Sequence, residues 1–413
     1  MRIVDVCAFY TPAGGGVRTY VDAKLRAAAR FGHEIVVIAP GDRDQVVQRG
    51  PGAFLVTIAS PKLPVDRRYG YFHDEKALHR VLDEWRPDHV EASSPWSSAT
   101  MVGRWPGHAT RSLVMHSDPL AAYAYRWLGG VAQIDTIDRW FGRFWRHLRG
   151  LGDMFDAVVC ANSHLADRLR SGGLVNVETI PMGVEGGIFC PRLRSPEIRV
   201  AALARLGLEP NGLLLVGVGR FSGEKRWETV IGAVATSARR HRVGLVLVGE
   251  GPRRRKLESL AERSGAGAVL PRMTDRGELA RLLASSDALV HGCEAETFCM
   301  VAAEARASGI PLIVPDRGAA ADQLLPKSGV LYRAGSEISL GRALDRFIDR
   351  GPELQRAAAA RASWVRTMDE HFADLFERYT LMGPAPALQP ARAAAVLGPL
   401  AEVALPRSAF GGS

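Results

Sequence analysis

Two carboxylates bracket an apolar patch in the stretch HGCEAETFCMVAAEARASGIP, His291 to Pro311: Glu296 and Glu304 stand eight residues apart around TFCMVAA. Carboxylates accept hydrogen bonds from paired hydroxyls. On a helix rising 1.5 Å per residue, acids so spaced are at most ~12 Å apart. That is the scale of a nucleoside diphosphate sugar, which carries hydroxyls on a ribose at one end and on a hexose at the other. The backbone N–H groups of Cys299, Met300 and Val301, at the start of such a helix, suit the phosphates between them. A blander reading is a first-turn Glu favoured by the helix dipole plus an ordinary solvated Glu. The flanks of Glu304 (Val301, Ala302, Ala303, Ala305) argue against it.

Three other stretches carry chemistry. In VGVGRFSGEKRWE, Arg220 and Lys225 follow a buried strand and a glycine; a planar fork and a point charge together can hold a diphosphate, although a basic turn taken alone is more often just solvated. In TPAGGGVRTYVDA, Gly14, Gly15 and Gly16 precede a helix, which lets backbone approach a phosphate. No G-x-G-x-x-G is completed, so the dinucleotide fingerprint is absent. In MHSDPLAAY, His116 and Asp118 stand at a strand end, where a general acid or base could sit. The DRD at 42–44 resembles a metal-binding pair of acids but falls in a loop, and we read it as a chance match.

The elements that must position these residues follow from short apolar runs alternating with amphipathic helical patterns. RIVDVCAF, EIVVIAP, AFLVTIA, HVEASS, SLVMHS, AVVCAN and VETIPM read as strands, with helices near 17–31, 73–85 and 163–171. After the turn-rich VEGGIFCP the pattern restarts: LLLVGVGR, GLVLVGE, AVLPR, ALVHG and PLIVP, with helices near 224–239, 252–264, 276–285, 297–308 and 338–350. This βα alternation specifies an α/β chain of two doubly wound, Rossmann-like domains facing a cleft. We expect residues 1–190 to form the acceptor domain and 191–365 the donor domain. Residues 366–382 are read as a helix crossing back to the first domain, and 383–413 as a disordered Pro-, Ala- and Gly-rich tail. In open parallel sheets ligands bind beyond the carboxyl ends of the strands, which is where the residues above lie.

The pair E-x7-E after a strand, with G-R-x-x-x-E-K earlier in the chain, resembles the family 4 glycosyltransferases of the GT-B fold. GEGPRRRKLE, PRMTDRGELARLLASSDALVHG, IPMGVEGGIFCP and the N-terminal GGG are similar to the same family's runs, in the right order, over about residues 1–380. The resemblance implies transfer from a nucleotide sugar with retention at the anomeric carbon and no metal or other cofactor. It implies that Glu304 bonds the ribose and that Glu296 approaches the transferred sugar. Cys299, Met300 and Val301 would meet sugar hydroxyls or phosphates, with Phe298 beside them in the donor pocket. Arg220 and Lys225 would neutralise the leaving diphosphate, with Gly15 and Gly16 closing over it. His116 would contact the sugar, Asp118 would position or deprotonate the acceptor, and Arg272 and Met273 would hold the base. Two positions depart from the family: Cys299 where Gly is usual, and Glu185 where Asp is usual.

Whole-chain properties narrow the partners. The 413 residues carry a net charge of +9, which favours an anionic partner. Basic residues are spread rather than striped and no nucleic-acid module is present, so nucleic acid is not expected. The five cysteines are scattered, without the spacing of a zinc site. The N-terminus lacks a secretory signal and no apolar run is long enough to span a bilayer, so a cytoplasmic protein is expected. In DTIDRWFGRFWRHLR, 135–149, one helix would align Ile137, Trp140, Phe141, Phe144, Trp145 and Leu148, with Arg139, Arg143 and Arg146 opposite. Such a stripe is either core or a peripheral face for the anionic inner surface of a plasma membrane. VDVCAFYTPAGGGVRTY and HSDPLAAYAYR are similar to bacterial members that glycosylate diacylglycerol. The expected reaction is therefore transfer of a hexose or hexuronic acid from a UDP-sugar to a membrane lipid. The alternative is a GDP-mannose-dependent α-mannosyltransferase building a polysaccharide or glycan; a phosphorylase or epimerase of the same fold is a weaker reading.

Overall fold

Continuous runs of Val, Ile and Leu suit strands buried on both faces, as parallel sheets between helices require, and two such sheets form. The computed structural model describes residues 1–12, 14–64, 66–118, 120, 134–238, 242–265 and 267–383. In the first half lie β1 (Arg2–Val6), β2 (Glu34–Gly41), β3 (Gln45–Gly50), β4 (Ala53–Ala59), β5 (Lys62–Leu63), β6 (Asp66–Gly70), β7 (His89–Ser93), β8 (Thr110–Met115), β9 (Ala157–Cys160) and β10 (Val177–Thr179). Eight of them make one sheet in the order β10-β9-β8-β7-β1-β2-β4-β3, while β5 and β6 pair separately. Its neighbours are parallel except β3, which runs antiparallel to β4. The second half holds β11 (Leu213–Val218), β12 (Val243–Val248), β13 (Gly267–Leu270), β14 (Ala288–Val290), β15 (Leu312–Pro315) and β16 (Gly329–Tyr332). They form a parallel sheet in the order β13-β12-β11-β14-β15-β16.

Strand order reverses beside β1 in one sheet and beside β11 in the other, so each sheet has a switch point where loops diverge to opposite faces and leave a crevice. The glycine loop follows β1, the Arg220–Lys225 loop follows β11, and the Glu296 loop follows β14. The fold thus brings together three of the four stretches singled out by residue type.

The chain then crosses back. Thr367 caps the helix Met368–Leu381 through a capping box with Glu370, and Phe372, Phe376 and Tyr379 bury themselves on the first half. Phe376 meets Phe31 edge-on at 5.6 Å, and Arg378 pairs with Glu178 at 2.5 Å. Val184 and Thr367 form an isolated parallel bridge. A Cβ on Gly183 would lie 2.1 Å from the Thr367 carbonyl carbon, so only glycine permits this crossing.

Three expectations change. The helix read as 338–350 runs Glu337–Ala360 with Pro352 inside it; Pro352 is exposed, where water can satisfy the carbonyl that loses its bond. The aromatic segment is two helices, Ile134–Trp140 and Gly142–Gly152, broken at Phe141. Met300–Ala307 starts later than 297. The tail reading for 383–413 falls outside the described residues beyond Gly383, as does most of HSDPLAAYAYR beyond Asp118.

Candidate functional site

Lys225 and Glu296 come together. The Lys225 ammonium donates to Glu296 Oε1, with both side chains largely covered, 14% and 22% exposed. Burial alone would raise the Glu296 carboxyl, but Lys225 and His291 outweigh it and hold the carboxyl well below the usual carboxylate range. Burial likewise disfavours the Lys225 ammonium, yet Glu296 carries it above its ordinary value. The site therefore keeps a fixed plus and a fixed minus charge at neutral pH.

His291 stands behind this pair, fully buried, with its carbonyl accepting from Tyr332 Oη at 2.7 Å. Its Nε2 is 3.3 Å from Glu296 Oε1, yet both ring nitrogens lack a well-aligned partner among the described residues. We therefore treat the contact as electrostatic, and burial lowers the pKa of this imidazole. The donor atoms of His291, Glu296 and Cys299 lie within 4.8 Å of one another, a spacing that could hold a metal. The Lys225 ammonium already occupies the carboxylate, so an ion there would have to displace it. The DRD triplet is a turn: Asp42 pairs with Lys62 at 2.7 Å and Asp44 accepts from Ala59 N.

Cys299 occupies the N-cap of Met300–Ala307 with φ +60° and ψ +65°, a left-handed conformation that favours glycine. This stops the helix from extending back to Thr297, so Glu296 lies in the preceding loop. Ala302 N donates to Cys299 O at 3.0 Å; the N–H groups of Met300 and Val301 precede that bond at the helix start. Cys299 and Phe298 are buried, and burial raises the Cys299 thiol well above its normal range.

Glu304 is 3% exposed and is held by Arg276 at 2.5 Å. The same guanidinium bonds Glu185 at 2.8 Å, and Arg26 reaches Glu185 from the first half at 2.5 Å. Burial raises the Glu304 carboxyl, and Arg276 offsets this only in part. Arg276 was not foreseen from the sequence, although its place at the first position of the helix Arg276–Ser285, after strand β13, was a usable signal. Glu185, noted as a departure, thus bridges arginines from both halves.

The remaining predicted residues divide. Thr297 Oγ1 donates to His116 O at 2.8 Å and Asn162 Nδ2 donates to Thr297 O, so His116 faces the loop bearing Glu296. Arg272 Nη2 donates to Gly14 O at 2.7 Å, and a Cβ on Gly16 would lie 3.5 Å from Met300 Sδ, while one on Gly15 would meet nothing within 4 Å. Met273 and Val301 pack at the edge of the core spanning both halves. Two residues sit differently from expectation. Arg220 is half exposed and lies 3.4 Å from Glu224, and Asp118 is buried and paired with Arg168. The aromatic segment also divides: Ile137, Trp145 and Leu148 are core, Phe141 and Phe144 pack partly against it, and Trp140 is 60% exposed beside the exposed Arg139, Arg143 and Arg146.

With this geometry in view, comparisons with known proteins are specific. Residues 14–185 match the family described as Glycosyltransferase Family 4, and residues 202–364 match Glycosyl transferases group 1. A GDP-mannose-dependent alpha-(1-6)-phosphatidylinositol dimannoside mannosyltransferase from Mycobacterium tuberculosis (strain ATCC 25177 / H37Ra) is 30% identical over 371 residues, 87% of this chain and 91% of that protein. A GDP-mannose-dependent alpha-mannosyltransferase from Mycolicibacterium smegmatis is 30% identical over 90% of this chain and 96% of its own length. Among solved structures, sucrose-phosphate synthase from Thermosynechococcus elongatus has a TM-score of 0.72 at 19% identity, covering 92% of this chain and 99% of that one.

Proposed function

Because this chain belongs to glycosyltransferase family 4, the group 1 glycosyl transferases, and has the GT-B fold, we propose that it is an α-mannosyltransferase. It would carry mannose from GDP-mannose to a hydroxyl on a glycosylated lipid headgroup. The observation that carries this reading is the 30% identity over nearly the whole chain to relatives named for GDP-mannose, one of them also for a mannosylated phosphatidylinositol. It takes up the GDP-mannose alternative of the sequence reading in place of the UDP-sugar and diacylglycerol, and keeps the lipid acceptor.

In this reading the ribose sits against Glu304, presented by Arg276, and the mannose sits between Glu296 and His116. Phe298, Met273 and the Arg272 backbone line the nucleotide end. Breaking the anomeric C–O bond puts negative charge on the leaving diphosphate. Lys225 is already ionised and held in place, so it stabilises that charge without reorganising. The N–H groups of Met300 and Val301 add to it, and Arg220, out in solvent beside Glu224, is free to swing onto the phosphates. Lys225 supplies the cation, so we expect transfer without a metal. Asp118, locked to Arg168, orients the strand end rather than taking a proton. Retention at the anomeric carbon follows if attack comes from the face the diphosphate leaves.

The test is a donor panel. GDP-mannose should raise the melting temperature, and transfer of radiolabelled mannose to lipid extract should persist in EDTA and vanish in Lys225→Ala. Stabilisation by UDP-sugars alone would overturn the donor; label appearing only in water-soluble glycans would overturn the acceptor.

A further inference from the structure

A second polar cluster lies beneath the cleft, in the interior of the first half. Lys24, Asp5 and Glu91 are all fully buried. Lys24 Nζ is 3.0 Å from Asp5 Oδ2 and 2.6 Å from Glu91 Oε2. Tyr379 Oη donates to Glu91 Oε2 at 2.7 Å from the crossing helix. Ser93, at the end of β7 and also fully buried, has its Oγ 2.8 Å from Asp5 Oδ1 and 3.3 Å from Glu91 Oε1. The same hydroxyl meets the partly exposed His116, with Nε2 3.2 Å from Ser93 Oγ.

Counting protons on these atoms fixes the imidazole. A serine hydroxyl has one hydrogen to donate. Asp5 Oδ1 is its nearest acceptor, and the other oxygen of the same carboxylate accepts from Lys24 Nζ. Ser93 Oγ is therefore left to accept from His116, which requires the hydrogen of the neutral ring to be on Nε2. Burial pushes the His116 pKa down to about 4, so the ring is neutral at physiological pH and has one tautomer to choose. The ring is further held by Tyr20, edge-on at 4.8 Å, and Tyr20 Oη in turn meets His371 Nε2 at 3.2 Å. His116 is only partly exposed; with Nε2 turned inward to Ser93, Nδ1 diverges from that buried edge.

We propose that Ser93, oriented by Asp5, is a positioning residue that holds His116 as its Nε2–H tautomer and so presents Nδ1 to the cleft as an acceptor for a hydroxyl of the transferred sugar. The tautomer assignment stands on the buried hydrogen-bond geometry around a neutral ring; its use by a sugar rests on the transferase reading above. The consequence is a specificity device. A bare nitrogen acceptor rewards a sugar with a hydroxyl at that position, and a donor lacking it leaves Nδ1 unpaired.

The test has two arms. Selectively ¹⁵N-histidine-labelled full-length protein, with the His116 signals identified by their loss in His116→Asn, should show Nε2 protonated and Nδ1 bare between pH 6 and 8, without any substrate. Finding Nδ1 protonated overturns the proposal and leaves the transferase reading intact. Ser93→Ala removes only the hydroxyl from a buried position. It should shift His116 toward a mixed or Nδ1–H tautomer and lower kcat about tenfold with little change in donor KM. An unchanged tautomer and unchanged kcat in folded Ser93→Ala overturn the proposal. Absence of transfer from every sugar nucleotide by wild type would instead sink the transferase reading, whatever the tautomer.

Discussion

At the scale of single residues, the site depends on two charge pairs that respond differently to pH. Glu296 is held below its unfolded value, chiefly by Lys225 working against burial. A depressed carboxyl stabilises the fold above its unfolded pKa, ~4.3, and loses that contribution as pH falls through its folded value. Glu296→Gln should therefore cost about 3 kcal/mol at pH 7, because it leaves a covered ammonium unpaired, and the cost should shrink only gradually as pH falls below ~4 toward the folded pKa. Urea titrations of Lys225→Met, Glu296→Gln and the double variant should show the double variant losing less than the sum; strict additivity would mean the pair is not coupled. Glu304 runs the other way, since burial raises it and Arg276 opposes the rise. Removing the guanidinium in Arg276→Gln should raise it further. If an ionised Glu304 grips the ribose, donor affinity in that variant should be weak near pH 6 and recover as pH rises. Wild type should be flatter, and calorimetric Kd values across pH 6–9 that superimpose for the two proteins would remove Glu304 from the ribose.

At the scale of elements, the start of Met300–Ala307 holds the most testable strain. Cys299 at φ +60° costs ~1–2 kcal/mol relative to glycine, partly offset by burying its sulfur. Cys299→Gly should stay within ~1 kcal/mol of wild type, whereas Cys299→Val, similar in size but β-branched, should lose at least ~2 kcal/mol. A valine variant as stable as wild type would mean the helix start relaxes out of the left-handed region. Element-level reading of the sequence worked where one local rule governed. AFLVTIA, 53–59, and SHLADRLRS, 163–171, show buried-strand and amphipathic-helix patterns, and they form those elements. It missed β3, since QVVQRG is an exposed antiparallel edge with no buried run to mark it. The helix read near 338–350 runs on to Ala360, and Pro352 sits inside it facing solvent. The site shows the same division. Lys225, Glu296 and His116 were legible because they follow strands. Arg276, Ser93 and Asp5 owe their places to contacts across distant parts of the chain, which no local spacing encodes, whereas His291 stands only five residues before Glu296.

At the scale of the molecule, the two halves are tied by contacts centred on the proposed donor pocket: Arg272 to Gly14, Thr297 to His116, and Arg26 through Glu185 to Arg276. The lipid acceptor proposed above would reach that pocket from a bilayer, and the first half offers one surface suited to it. Trp140 is 60% exposed, and Arg139, Arg143 and Arg146 are exposed on the same two helices, while Ile137, Trp145 and Leu148 anchor those helices in the core. The stripe read from the sequence is therefore mostly core, with Phe141 and Phe144 partly buried and Trp140 alone of its six residues exposed. An exposed indole on helices that also expose three arginines suits the headgroup region of an anionic leaflet, where each basic residue contributes ~1 kcal/mol. Wild type should sediment with vesicles containing phosphatidylglycerol, weakly at high salt because the charges are screened, and little with neutral phosphatidylcholine. Trp140→Ala combined with Arg143→Glu should reduce binding to the anionic vesicles at least ~10-fold by that arithmetic, with an unchanged melting temperature because neither side chain is in the core. Equal sedimentation of the double variant would place the membrane contact elsewhere on this +9 chain. Binding by neither protein would leave the acceptor to be presented in solution.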